Sequence, residues 1–91
     1  MTENPHDIKK LKALTEISLE LEKATKTFPP FRSYHEGYAI IKEELDELWE
    51  SIKARKPSTQ YIEHQADTHI KKEAIQLAAM ATRFIIDLCE G

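Results

Sequence analysis

A single cysteine, Cys89, excludes an intrachain disulfide. Two glycines and four prolines in 91 residues speak for a helical domain rather than a fibrous or disordered chain. Positive charge is in short supply: 13 Lys and Arg stand against 16 Asp and Glu, a net charge of −3. The chain therefore has no bulk basic field to attract nucleic acid. It also has no apolar run of membrane length, because the longest apolar-leaning stretch, Leu77 to Ile86, is interrupted by Thr82 and Arg83. The opening residues Met1 to Asp7 lack the apolar core of a secretory signal, so a cytoplasmic location is expected. No internal repeat or low-complexity segment is present.

What remains is a chain 41% hydrophobic and 32% charged, short enough for one domain over residues 1–91. Periodicity divides it into three helices, about 7–26, 33–55 and 60–89. In the first, Ile8, Leu11, Leu14, Ile17 and Leu21 recur at three- and four-residue intervals. Phe28-Pro29-Pro30-Phe31 ends it, since proline disfavours helical geometry before itself and offers no N–H. Ser33 stands three residues before Glu36, the spacing of a capping box, and begins the second helix. Lys56-Pro57-Ser58-Thr59 makes the second break.

In the second helix, Tyr38, Ile41, Leu45, Leu48 and Ile52 form an apolar stripe expected in the core, with Trp49 at its edge. At about 100° per residue, Glu36, Glu43, Glu47 and Glu50 gather opposite, with Glu44 at the flank and Ile40 among them. An acidic stripe with an isoleucine inside it suits either a solvated face or one turned towards a ligand. The third helix is apolar nearly all round: Ile70, Leu77, Ala81, Phe84 and Leu88 form one stripe, while Ile75, Ala79 and Ile86 lie on the far side. Such a helix belongs inside a bundle, and three helices from one chain cannot easily enclose it. The expected architecture is all-α, an antiparallel helical bundle completed by oligomerisation as a homodimer or homotetramer.

The acids carry the chemistry. Residues three or four apart share a helix face, so Glu43 and Glu44 can each present oxygens beside Glu47. Glu73 heads the apolar part of the third helix, with Gln76 one turn on. Hard oxygen donors of this kind suit Mg²⁺ or Mn²⁺.

The stretch Ser33-Tyr-His-Glu-Gly-Tyr-Ala-Ile-Ile-Lys-Glu-Glu-Leu-Asp-Glu-Leu-Trp49, followed by Glu73-Ala-Ile-Gln-Leu-Ala-Ala-Met-Ala-Thr-Arg-Phe84, resembles the MazG-like nucleoside triphosphate pyrophosphohydrolases, in a small single-domain branch. The resemblance spans roughly Phe31 to Leu88. It implies an E-x-x-E pair on Glu44 and Glu47, with Glu43 adjacent, and a second pair on Glu73 and Gln76 that together coordinate Mg²⁺, with Mn²⁺ as an alternative. The family pattern has Asp where this chain has Gln76, which keeps an oxygen but removes a charge and should weaken metal binding. Asp87 cannot replace it, lying ~21 Å along the axis from Glu73. His69, one turn before Glu73, is within reach, although a surface or hydrogen-bonding role is the ordinary alternative, as a cap role is for His35.

The activity implied is Mg²⁺-dependent hydrolysis of a nucleoside triphosphate to nucleoside monophosphate and pyrophosphate. Glu43 and Glu44 are the implied catalytic residues, and Glu44, Glu47, Glu73 and Gln76 the metal ligands. Lys72 and Arg83 are candidate phosphate contacts, while Trp49, Phe28 and Phe31 are candidates for stacking a base, each with core packing or solvation as the simpler role. Two other readings compete. One is a non-catalytic MazG-like helical oligomerisation or interaction module with a degenerate metal site. In the other, the acids merely pair with lysines on neighbouring helices.

Overall fold

The computed structural model describes residues 4–55 and 60–90. Helix α1 spans Pro5–Thr27, α2 Tyr34–Ala54 and α3 Gln60–Phe84, the last continued by a π-helical turn over Ile85–Cys89. The fold is an all-α three-helix bundle. Helix α1 starts two residues earlier than the apolar period predicts, because Asn4 accepts from the His6 N–H at 2.8 Å and Pro5 occupies the first turn, where its missing N–H costs nothing. It ends at Thr27, immediately before the Phe28–Phe31 loop. At the start of α2, Ser33 Oγ accepts from the Glu36 N–H at 3.1 Å, and Glu36 in return accepts from the Arg32 N–H at 3.3 Å. The break at Lys56–Thr59 lies outside the described residues. Among those described, no helix is long and apolar enough to cross a membrane.

Helix α3 is the middle of the bundle, with α1 and α2 both packed on it. Glu16 pairs with Lys71, and the Ala24 carbonyl meets Arg83, so α1 and α3 run the same way. Gly37 lies against Phe84 and Leu88 while Arg55 reaches Asp67, so α2 runs against α3. Successive helices are therefore antiparallel. Gly37 permits the tightest of these approaches: a Cβ there would stand 2.5 Å from Phe84 Cδ2 and 3.2 Å from Leu88 Cδ1. The Phe84 ring, in turn, tilts against Tyr34 at 5.8 Å between centroids.

The loop after α1 is held by a buried arginine. Arg83, 3% exposed, donates from Nη2 to the Phe28 and Pro29 carbonyls, both at 2.6 Å, and from Nε to Asp87 at 3.2 Å. Asp87 Oδ2 also accepts from the Phe31 N–H at 2.9 Å, and the guanidinium lies over the Phe31 ring. Two proline-rich carbonyls and one N–H that could join no helix are satisfied in this way.

The predicted core stripe of α2 is not covered within one chain. Tyr38, Leu45, Trp49 and Ile52 are 64, 51, 55 and 42% exposed. The less exposed side of α2 instead runs through Gly37, Ile40, Ile41, Glu44 and Leu48. The close approach at Gly37 sets this rotation and turns the flank bearing Glu44 inward. On α3, Ala79, expected on the far side, is completely buried, while Ala81 of the predicted stripe is exposed. A helix with a neighbour on each side does not bury a single stripe.

Only Ala24, Phe31 and Ala79 form the buried apolar core among the described residues. The chain is broad and thin, 45 × 42 × 18 Å, with a radius of gyration of 15.5 Å. A compact domain of this length has a radius of about 12 Å. Its accessible surface is 7237 Å². A folded monomer of its mass exposes about 5,400 Å².

Candidate metal centre

Glu44 and Glu47 lie one turn apart on α2, and Glu73 faces them from α3. One carboxylate oxygen from each lies within 4.8 Å of the other two. Antiparallel packing places the middle of α2 beside the middle of α3, so acids 26 residues apart in sequence meet (Glu47 and Glu73). Glu73 is 9% exposed; its Oε1 lies 3.7 Å from His69 Nε2, and its Oε2 is buried without a hydrogen bond. Glu44 Oε2 is likewise buried without a partner.

Of the three acids, Glu44 is the one whose ionisation the site opposes. Burial, followed by the charges of Glu47, Glu73 and Glu43, pushes the Glu44 carboxyl up from 4.5 to about 7. Among the described residues no lysine or arginine pairs with Glu44, Glu47 or Glu73. The lysine-pairing reading therefore does not hold for this trio; the acid that meets a lysine across helices is Glu16, with Lys71. Buried carboxylate oxygens left without donors are costly, and a hard divalent cation is the charge that would satisfy all three at once. The donor set fits Mg²⁺ or Mn²⁺.

The trio separates two concavities. Glu47 and Glu73 open onto a groove of 620 Å³ between α2 and α3, shared with His69 and Glu50. Glu44 opens onto a more enclosed cavity of 430 Å³ beneath the Phe28–Phe31 loop, shared with Ile40, Gln76 and Met80. Glu43 lines both.

The other sequence candidates lie as follows. Gln76 is on the wall of the 430 Å³ cavity, one turn from Glu73. Phe28 and Phe31 border the same cavity, Phe28 at 61% exposure and Phe31 buried. Arg83 also borders it, but its donors are committed to the loop carbonyls and Asp87, so it builds the wall and is not free for a phosphate. Lys72 lies in the α1–α3 groove with Lys23 and Glu20, away from the trio. Trp49 lines neither concavity and carries the Lys53 ammonium 5.7 Å from its ring. His35 is exposed in the first turn of α2.

Sequence reasoning missed Asp87 as the partner that fixes Arg83. The spacing Glu73, Gln76, Met80, Arg83, Asp87 marks a second face of α3 at three- and four-residue intervals, masked by the stronger apolar stripe beside it. The chain matches no protein-family model, no curated protein and no solved structure.

Proposed function

We propose that this chain is a self-associating helical module that holds a divalent cation between α2 and α3. The observation that carries the reading is the pair of partnerless buried oxygens, Glu44 Oε2 and Glu73 Oε2, inside a trio whose donor atoms lie within 4.8 Å. Self-association is supported by the surface: about 1,800 Å² above that of a compact monomer is the scale an obligate homodimer removes per subunit. The test is Mn²⁺ binding followed by electron paramagnetic resonance, with thermal melts alongside. Metal at 100 times its Kd should stabilise the fold by about 2.7 kcal/mol, and Glu47→Gln should reduce that gain. No bound Mn²⁺ at millimolar concentration would remove the reading.

A second reading is favoured by the 430 Å³ cavity adjoining Glu44 and by the resemblance to MazG-like enzymes: a metal-dependent nucleoside triphosphate pyrophosphohydrolase. A bound divalent ion neutralises and orients phosphates and makes a bound water more acidic. Glu44, Glu47 and Glu73 would anchor the ion. Glu43, outside the trio, borders both concavities and would serve as the general base for the attacking water. A pyrophosphate-release assay over ribo- and deoxynucleoside triphosphates separates the two readings. The enzyme should turn over at least one substrate and lose that activity in Glu44→Ala; the module should be silent on all of them while still binding Mn²⁺.

A further inference from the structure

His69 and Glu73 stand one turn apart on α3, and both line the 620 Å³ groove together with Glu47 from α2. His69 Nε2 lies 3.7 Å from Glu73 Oε1. That separation is too long for a hydrogen bond. It is close to the spacing of two ligands on one ion, since donors about 2.0 Å from a tetrahedral centre are about 3.3 Å apart. Glu73 is itself 9% exposed, and its other oxygen, Oε2, is buried without a partner. A buried, unsatisfied carboxylate thus sits between the acids of α2 and an imidazole that does not hydrogen-bond to it.

The turns on either side of Glu73 offer different donors to different concavities. Gln76, one turn on, lines the 430 Å³ cavity and not the groove, whereas His69, one turn back, lines the groove and not the cavity. On α3, the donor that joins Glu73 in the groove is therefore a ring nitrogen. His69 stands at the rim of the trio, its ring not among the atoms that lie within 4.8 Å of one another. Its side chain is 58% exposed, however, and an exposed side chain changes rotamer freely. Carboxylates suit Mg²⁺ and Mn²⁺, while imidazole suits Zn²⁺ and Fe²⁺ and adds little to the oxygen shell that Mg²⁺ prefers. Three carboxylates and one imidazole consequently separate ions that three carboxylates alone rank only by their general order of affinity.

We propose that His69 is a further ligand of the cation held by Glu44, Glu47 and Glu73, and that its imidazole selects a first-row ion of the zinc type over Mg²⁺. The proposal rests on the cation reading above and adds to it the ligand that decides which ion is held. An oxygen-only site also binds Zn²⁺ more tightly than Mg²⁺. The preference by itself is therefore no test; its dependence on His69 is.

The test uses the full 91-residue chain and measures Mg²⁺, Zn²⁺ and Co²⁺ binding by calorimetric titration on the natural protein, His69→Ala and His69→Glu, with helicity checked by circular dichroism. Zn²⁺ and Co²⁺ affinity should fall at least about tenfold in His69→Ala, while Mg²⁺ affinity stays the same. His69→Glu, which offers an oxygen in place of the nitrogen, should bind Mg²⁺ more tightly than the natural chain does. Co²⁺ in the natural chain should carry one imidazole N–H proton resonance far outside its ordinary range, and His69→Ala should lose it. Zn²⁺ affinity that survives His69→Ala, or bound Co²⁺ with no shifted imidazole resonance, overturns the assignment and leaves an oxygen-only cation site standing. Equal losses of Mg²⁺ and Zn²⁺ in His69→Ala also overturn it, because His69 would then only hold Glu73 in position. Absence of binding by all three ions removes the cation reading and this assignment with it.

Discussion

Glu44 on α2 and Glu73 on α3 each bury one carboxylate oxygen without a hydrogen bond, and the two carboxylates bring oxygens within 4.8 Å of each other. The pair is unfavourable in the chain alone. Its first physical consequence concerns pH.

Without metal, Glu44 should make the fold less stable as pH rises. Its carboxyl titrates near 7 in the folded chain and near 4.5 when unfolded, so between those values the folded state binds more protons. The penalty begins above pH 4.5 and is complete above about 7. Allowing for solvent screening at this partly exposed cluster, it should amount to about 1 kcal/mol. Thermal melts in chelator from pH 5 to 8 should fall across that window, and Glu44→Gln should flatten the fall. A slope unchanged by the substitution would assign the pH dependence elsewhere.

Assembly should depend on apolar faces that the single chain leaves open. Leu11 on α1 is 68% exposed and Leu45 on α2 51%. Light scattering at micromolar concentration should give a multiple of 10.5 kDa, with a melting temperature that rises with protein concentration. Leu45→Glu or Leu11→Glu should shift the population towards monomer by placing a charge in a dry interface. A stable folded monomer that ignores both substitutions would show that these faces are not joined.

Arg83→Met should cost about 3 kcal/mol or more, because it leaves Asp87 and the Phe28 and Pro29 carbonyls without their donor. In a domain of this size that is a fall in melting temperature of roughly 12 °C or more. The double variant Arg83→Met, Asp87→Asn should recover part of the loss, since no unpaired charge then remains. Denaturant unfolding of the single and double variants would measure the coupling.

Gly37→Ala brings two effects into opposition. Alanine gains about 1 kcal/mol of helix propensity over glycine. The new methyl, however, meets the Phe84 ring, and overpacking costs about 1–3 kcal/mol. The substitution should therefore destabilise the natural chain, yet stabilise a Phe84→Leu background in which the ring has gone. Chemical denaturation of the four proteins in this cycle decides it.

The sequence by itself determined that the chain is helical and where the first helix gives way to the second. Hydrophobic period, the Phe28–Phe31 loop and the Ser33 cap are local signals, and local backbone chemistry follows from nearest neighbours. It also brought Glu44, Glu47 and Glu73 together as candidates, since helical spacing places the first two on one face and the resemblance supplies the third. The α2 face was decided only by tertiary structure. Periodicity put Tyr38, Leu45 and Ile52 inward, but a missing Cβ at Gly37 lets Phe84 approach and rotates the acidic flank towards α3. Arg83 shows the same limit: its sequence position suggested a phosphate contact, whereas the fold brings two loop carbonyls within 2.6 Å and uses its charge to close the chain. Side-chain roles of this kind depend on which groups arrive from distant segments. A period along one helix carries no information about them.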